Sequence, residues 1–164
     1  MKRKPKTEYQ KKLDTYRQLS SRHVLVLEAD MSEDDKRTLF HEVELIRKAG
    51  NELTGIMKKR YDQLIRTKHY RELKAAYGKA AEKGDDEARK ACADEMAQMQ
   101  KEYHVTWDYC RTAMIPIGKR YGIHSVFALT RAEDVWRGVE KCLYGDGRTL
   151  HFVRQGELPN IRAK

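Results

Sequence analysis

The sequence predicts a mainly α protein with a small β component, about five helices bracketed by short strands near residues 23–29 and 149–154. Three observations point there. Apolar residues recur at three- and four-residue intervals over most of 33–144, the spacing of one helix face. Two short runs rich in β-branched and aromatic residues, HVLVLEAD at 23–30 and TLHFVR at 149–154, flank that region. A chain of 164 residues has the length of one domain and is long enough to bury a real core.

The elements follow in order. Val24, Leu25, Val26 and Leu27 form an apolar run too short for a helix. Ser32 is a suitable N-cap for a long helix over 33–66, with Glu33, Asp34 and Asp35 in its first turn. Its stripe runs through Leu39, Val43, Ile46, Leu53, Ile56, Met57 and Leu64, with Gly50 in one missing place. A second helix spans about 69–83 on Tyr70, Leu73, Tyr77 and Ala80 and stops at Gly84, and Asp85 or Asp86 caps the next. That third helix, about 86–104, has a thin face of Ala88, Cys92, Met96, Met99 and Tyr103, so 69–105 reads as a helical hairpin inserted into the body. A fourth covers 107–121, where Pro116 is expected to kink or interrupt it. After Gly122, Ser125 can cap a last helix that carries Val126, Leu129, Ala132, Trp136, Val139 and Leu143 and ends at Gly145-Asp146-Gly147. Leu129, Trp136, Val139 and Leu143 are expected to pack against Leu39, Val43, Ile46 and Leu53. In the last strand Leu150 and Phe152 share a face, and the two strands are expected in one small sheet.

Charge is concentrated at the ends. The net charge is +9; residues 1–22 contribute +6, residues 148–164 contribute +3, and 23–147 balance to zero. One-signed blocks bind polyanions or act as solvated tails. For 1–22 both readings stand, a disordered tail and an arm that orders on nucleic acid. The candidate nucleic-acid contacts are Lys4, Lys6, Lys11 and Lys12 in the tail, Lys58, Lys59 and Arg60 on the first helix, Lys119 and Arg120 at a helix end, and Arg148, Arg154, Arg162 and Lys164 around and after the last strand. Several stand beside aromatic residues, as at Arg60-Tyr61 and Arg120-Tyr121, a pairing suited to phosphates and stacked bases. Trp107 and Trp136 lie on apolar stripes and read as core.

Other classes find little support. No apolar run approaches the roughly 20 residues of a membrane span, and no export signal follows the basic N-terminus, so a cytoplasmic protein is expected. Three cysteines at 92, 110 and 142 lack metal-ligand spacing and read as core residues. The six histidines form no i,i+4 pair, and there is no phosphate loop, dinucleotide fingerprint or nucleophile elbow. No catalytic residue, metal or cofactor is expected.

The C-terminal segment LHFVRQGELPNIRAK, 150–164, resembles the TnpB/OrfB-type transposon proteins, RNA-guided DNA endonucleases related to compact type V CRISPR effectors. That family has a helix with an A-x-x-x-W/F pattern, a Gly-rich turn, a basic strand and a G-E-L-x-S-ϕ-x-G-K-like stretch, where ϕ is apolar. Here Ala132 and Trp136, Gly145-Asp146-Gly147, Leu150–Arg154 and Gly156-Glu157-Leu158 stand in that order, with Asn160 in place of the Ser and Ala163 in place of the Gly. Arg47-Lys48-Ala49-Gly50-Asn51-Glu52-Leu53 is similar to the family's basic-Asn step in its first helix. The resemblance covers about 23–66 and 124–164. It implies the wedge-and-recognition portion alone, which grips guide RNA and an RNA–DNA duplex by backbone and shape. The family's nuclease acids and zinc element lie beyond the position of Lys164. The implied partners are RNA or DNA, together with a second copy or another protein over the face that the missing half would cover. The alternative is a basic helical scaffold that oligomerises or binds a protein partner.

Overall fold

The computed structural model describes residues 30–145, 147–157 and 159. The chain divides at Ser32 into two units, and the second, Glu33–Lys164, is the one described below. Among the described residues it holds five helices: α1 Glu33–Arg66, α2 Lys68–Lys83, α3 Asp86–Glu102, α4 Trp107–Tyr121 and α5 Ser125–Tyr144. α1, α4 and α5 pack on one another as a three-helix body, while α2 and α3 pair as a hairpin whose base touches α1.

Local chemistry fixes the helix ends. Asp85 caps α3, its carboxylate accepting from Ala88 N–H at 3.0 Å, and Thr106 caps α4, its hydroxyl accepting from Tyr109 N–H at 3.3 Å. The last helix takes His124 rather than Ser125 as its cap, Nδ1 accepting from Val126 N–H at 3.3 Å, and Ser125 is its first helical residue. Gly84 and Gly122 end α2 and α4 in the left-handed region, φ 72° and 67°, where a β-carbon is costly. α4 runs unbroken through Pro116. Pro116 and Thr112, the residue that loses its helical partner, are both exposed, so water can serve the freed carbonyl.

The core joins Ala49, Leu53, Met57 and Leu64 of α1 to Cys110, Met114 and Ile117 of α4 and Ala132, Val135, Val139 and Leu143 of α5. Tyr61 spans it, its buried hydroxyl donating to the Cys142 carbonyl at 3.2 Å. Tyr70, Leu73 and Met99 anchor the hairpin base, and Gln100 ties it, donating to the Tyr70 hydroxyl at 3.2 Å and accepting from that of Tyr144 at 2.7 Å.

Several expectations change. Ile46, Leu53, Val139 and Leu143 are buried as expected, but Leu39 is 45% and Leu129 37% exposed, and Val43 and Trp136 are only half-buried. Among the described residues, α1 extends beyond the body it packs on, and nothing there covers Leu39 in its first two turns. The expected strand at 149–154 is absent: among the described residues there is no strand. The expected strand at 23–29 lies outside them. With no strand beside it among the described residues, the 149–154 segment is held on α1 by side-chain hydrogen bonds, and its alternation is lost. Leu150 is buried at 6% while Phe152 is 50% exposed, so the two do not share a buried face.

The packing predicts a contrast in stability. Leu53→Ala, at a fully buried position, should lower the unfolding free energy by about 2–5 kcal/mol. Leu129→Ala should stay within about 0.5 kcal/mol of wild type. Urea melts of both variants check the assignment, and equal effects would contradict it.

Candidate nucleic-acid interface

The segment after α5 is placed by two side chains of α1. The Asn51 amide faces the Val153 peptide and uses both ends: Nδ2 donates to the Val153 carbonyl at 2.8 Å, and Oδ1 accepts from Val153 N–H at 2.9 Å. Arg47 Nη1 donates to the same carbonyl at 3.0 Å. Arg47 is itself held by Glu44, its Nε and Nη2 donating to the two carboxylate oxygens at 2.7 and 2.6 Å. The Arg47 hydrogen bonds hold the Glu44 carboxyl below its ordinary value, and Glu44 raises the Arg47 guanidinium. Both ends of the clamp are therefore charged at neutral pH.

Fixing Val153 fixes its neighbours. The Phe152 ring lies over Gly55 of α1, with Cε1 3.9 Å from where a β-carbon would stand. There it borders a shallow concavity of about 450 Å³ lined by Lys58, Lys59, Asp62, Gln63 and Arg66. Lys58 is partly neutralised by Asp62, Nζ to Oδ2 3.0 Å. Lys59 and Arg66 are exposed and make no ion pair among the described residues. Two unneutralised cations beside a half-exposed aromatic ring form a surface able to hold phosphates and stack a base.

The other expected contacts divide. Arg60 turns away from Lys58 and Lys59, its guanidinium 5.6 Å above the Tyr109 ring. Arg120 pairs with Glu52 and lies 5.9 Å over Tyr121, so its charge is already engaged. Lys119 is exposed on the rim of an apolar groove between α4 and α5. Arg154 is exposed, its N–H donating to the Glu157 carboxylate at 3.0 Å. Arg148 is exposed on the mouth of a separate cavity against α5. Neither is held by a strand. Lys4, Lys6, Lys11, Lys12, Arg162 and Lys164 lie outside the described residues.

Sequence reasoning missed Arg66, the clamping role of Asn51 and, above all, Arg131. Arg131 is 7% exposed and crosses α1 at Gly50, where a β-carbon would stand 2.1 Å from its Nε. The gap that Gly50 leaves in the α1 stripe was the available signal: a missing side chain on a core face makes room for a large one from the facing helix. No group of three or more His, Cys, Asp or Glu side chains able to hold a metal comes together among the described residues. Burial pushes the Cys110 thiol up to about 12, which keeps it protonated and unreactive at neutral pH. No described helix is long and apolar enough to cross a membrane.

In comparisons with protein-family models, curated proteins and solved structures, nothing matches the chain.

Two substitutions test the geometry. Asn51→Ala removes both hydrogen bonds to Val153 and should cost about 1–3 kcal/mol, with faster amide exchange at Val153 as the specific sign. Gly50→Ala should cost about 1–3 kcal/mol through collision with Arg131, even though alanine favours a helix. A gain in thermal stability for Gly50→Ala would contradict the Arg131 placement.

Proposed function

We propose that the chain is a nucleic-acid-binding module that grips RNA, or an RNA–DNA duplex, by its phosphate backbone and has no catalytic centre of its own. The observation that carries this reading is the concavity in which Lys58, Lys59 and Arg66 stand beside the exposed ring of Phe152. The net charge of +9, all of it in excess at the two ends of the chain, supports it: the body needs no surplus cations to fold, and polyanion binding uses them. The resemblance of 150–164 to TnpB/OrfB-type proteins favours guide RNA as the ligand.

The roles divide by chemistry. Lys59 and Arg66 contact phosphates without reading sequence. Phe152 stacks on an unpaired base, which tolerates any base because each has a π face. Lys4, Lys6, Lys11 and Lys12 add long-range attraction, screened beyond a Debye length of about 10 Å at 0.1 M salt.

Fluorescence anisotropy with a labelled RNA tests the reading. Affinity should fall steeply with salt, by about 10³-fold between 50 and 200 mM for roughly six phosphate contacts. Lys59→Ala and Arg66→Ala should each lower the salt slope by about one unit for every sequence tried. Phe152→Ala should weaken single-stranded RNA by about 1–3 kcal/mol and leave duplex binding nearly unchanged. Absence of binding at about 50 mM salt would refute the proposal. A protein-binding scaffold would behave oppositely, with association that persists at high salt through the apolar groove where Ile115 is 54% exposed.

A further inference from the structure

A cavity of about 280 Å³ lies between α1, α5 and the 147–153 segment. Its wall carries Arg131, Lys141, Arg148 and His151 against one carboxylate, Asp134. It is distinct from the concavity at Phe152, because the two are lined by different residues of the same extended segment: His151 and Val153 here, Phe152 there.

Arg131 is the unusual member. It is buried, its Nε has no hydrogen-bond partner, and the nearest carboxylate oxygen, Asp134 Oδ2, is 3.8 Å from Nη1. That distance supplies Coulomb attraction but no hydrogen bond. A guanidinium taken out of water needs acceptors for its five donors, and the surrounding protein provides few. Desolvation lowers the Arg131 pKa, yet a guanidinium stays charged in a protein. Around it stand Arg148, which makes no ion pair among the described residues, and His151, which offers a further donor.

The end of α5 would ordinarily oppose an anion here, since a helix C-terminus carries partial negative charge. That opposition is reduced, because the Lys141 carbonyl accepts from both Gly145 N–H, at 3.1 Å, and Gly147 N–H, at 3.0 Å. The wall then presents Arg131 and Arg148, with Lys141 at its edge, against the single carboxylate of Asp134. The volume is just under the lower limit of about 300 Å³ for small-molecule pockets, which suits one anionic group rather than a whole cofactor.

We propose that this cavity is an anion site that seats a single phosphate group, with Arg131 and Arg148 as its main ligands and Lys141 and His151 at its rim. A backbone phosphate of the bound nucleic acid is one source, which rests on the function proposed above, and a free phosphate is the other. The bidentate fork of arginine matches either.

Calorimetric titration of the full chain with inorganic phosphate, against chloride at matched ionic strength, tests the site. Saturable binding is expected, with slower amide exchange over 147–153. Arg148→Ala, at an exposed position, should leave the fold intact and weaken phosphate by about tenfold, the weight of one charge-assisted hydrogen bond. Arg131→Met should abolish phosphate binding. If that variant does not fold, Arg148→Ala decides. Absence of saturable phosphate binding, or unchanged affinity in Arg148→Ala, overturns the proposal, whatever RNA does. Competition between phosphate and RNA, with RNA affinity lost in Arg148→Ala, supports the site with a backbone phosphate as its source. Phosphate binding with RNA affinity unaltered supports it with free phosphate as its source. Phosphate binding by a chain that binds no RNA supports the site and refutes only the nucleic-acid reading.

Discussion

The contact between the Asn51 amide and the Val153 backbone organises the candidate interface of this molecule. A primary amide has the same donor and acceptor as a peptide group, so one side chain can satisfy a backbone unit that would otherwise need a neighbouring strand. The Glu44–Arg47 fork beside it adds a third hydrogen bond and holds itself rigid. That attachment holds the middle of the segment between Gly147 and Glu157 on α1, while burial of Leu150 and the Gly147 hydrogen bond to Lys141 hold its start. Phe152 lies over Gly55 on one side, and the cavity holding Arg148 and His151 closes on the other.

Two glycines in α1 make this possible, and each costs helix stability of about 1 kcal/mol relative to alanine. Gly50 lets Arg131 cross the helix at contact distance, and Gly55 gives Phe152 a bare stretch of backbone to lie on. Both are adaptations of a helix face to what approaches it. The tight core of Leu53, Met57 and Leu64, all fully buried, supplies the packing that offsets them.

The hairpin of α2 and α3 obeys different physics. Most of its residues are exposed, and its apolar contacts gather at the base around Tyr70, Leu73 and Met99. The Tyr70–Gln100–Tyr144 hydrogen bonds join that base to the end of α5. A long arm with so few buried contacts opens more readily than the three-helix body does. Among the described residues, the cations considered for nucleic acid stand on the three-helix body or the C-terminal segment and not on the hairpin.

The sequence by itself determined the helices. Their limits follow from 3.6-residue periodicity and from end signals at Gly84, Asp85 and Gly122, all of them local properties. It also determined that Leu53, Val139 and Leu143 are buried, that Cys110 and Cys142 belong to the core, and that positive charge gathers at the two ends. Tertiary structure alone decided the rest. TLHFVR has a strand composition, but a strand needs a partner, and here Asn51 of a helix takes that role; no local pattern encodes a pairing across about a hundred residues. Basic clusters read alike in sequence, yet Arg60 and Arg120 are engaged by Tyr109 and Glu52 from elsewhere in the chain, while Arg66 and Lys59 stay open beside Phe152. Arg131 looks like one more surface charge on a polar stretch. Only the approach of α1 at Gly50 buries it, because burial depends on which helix faces which, and periodicity fixes a helix's apolar side without naming its neighbour.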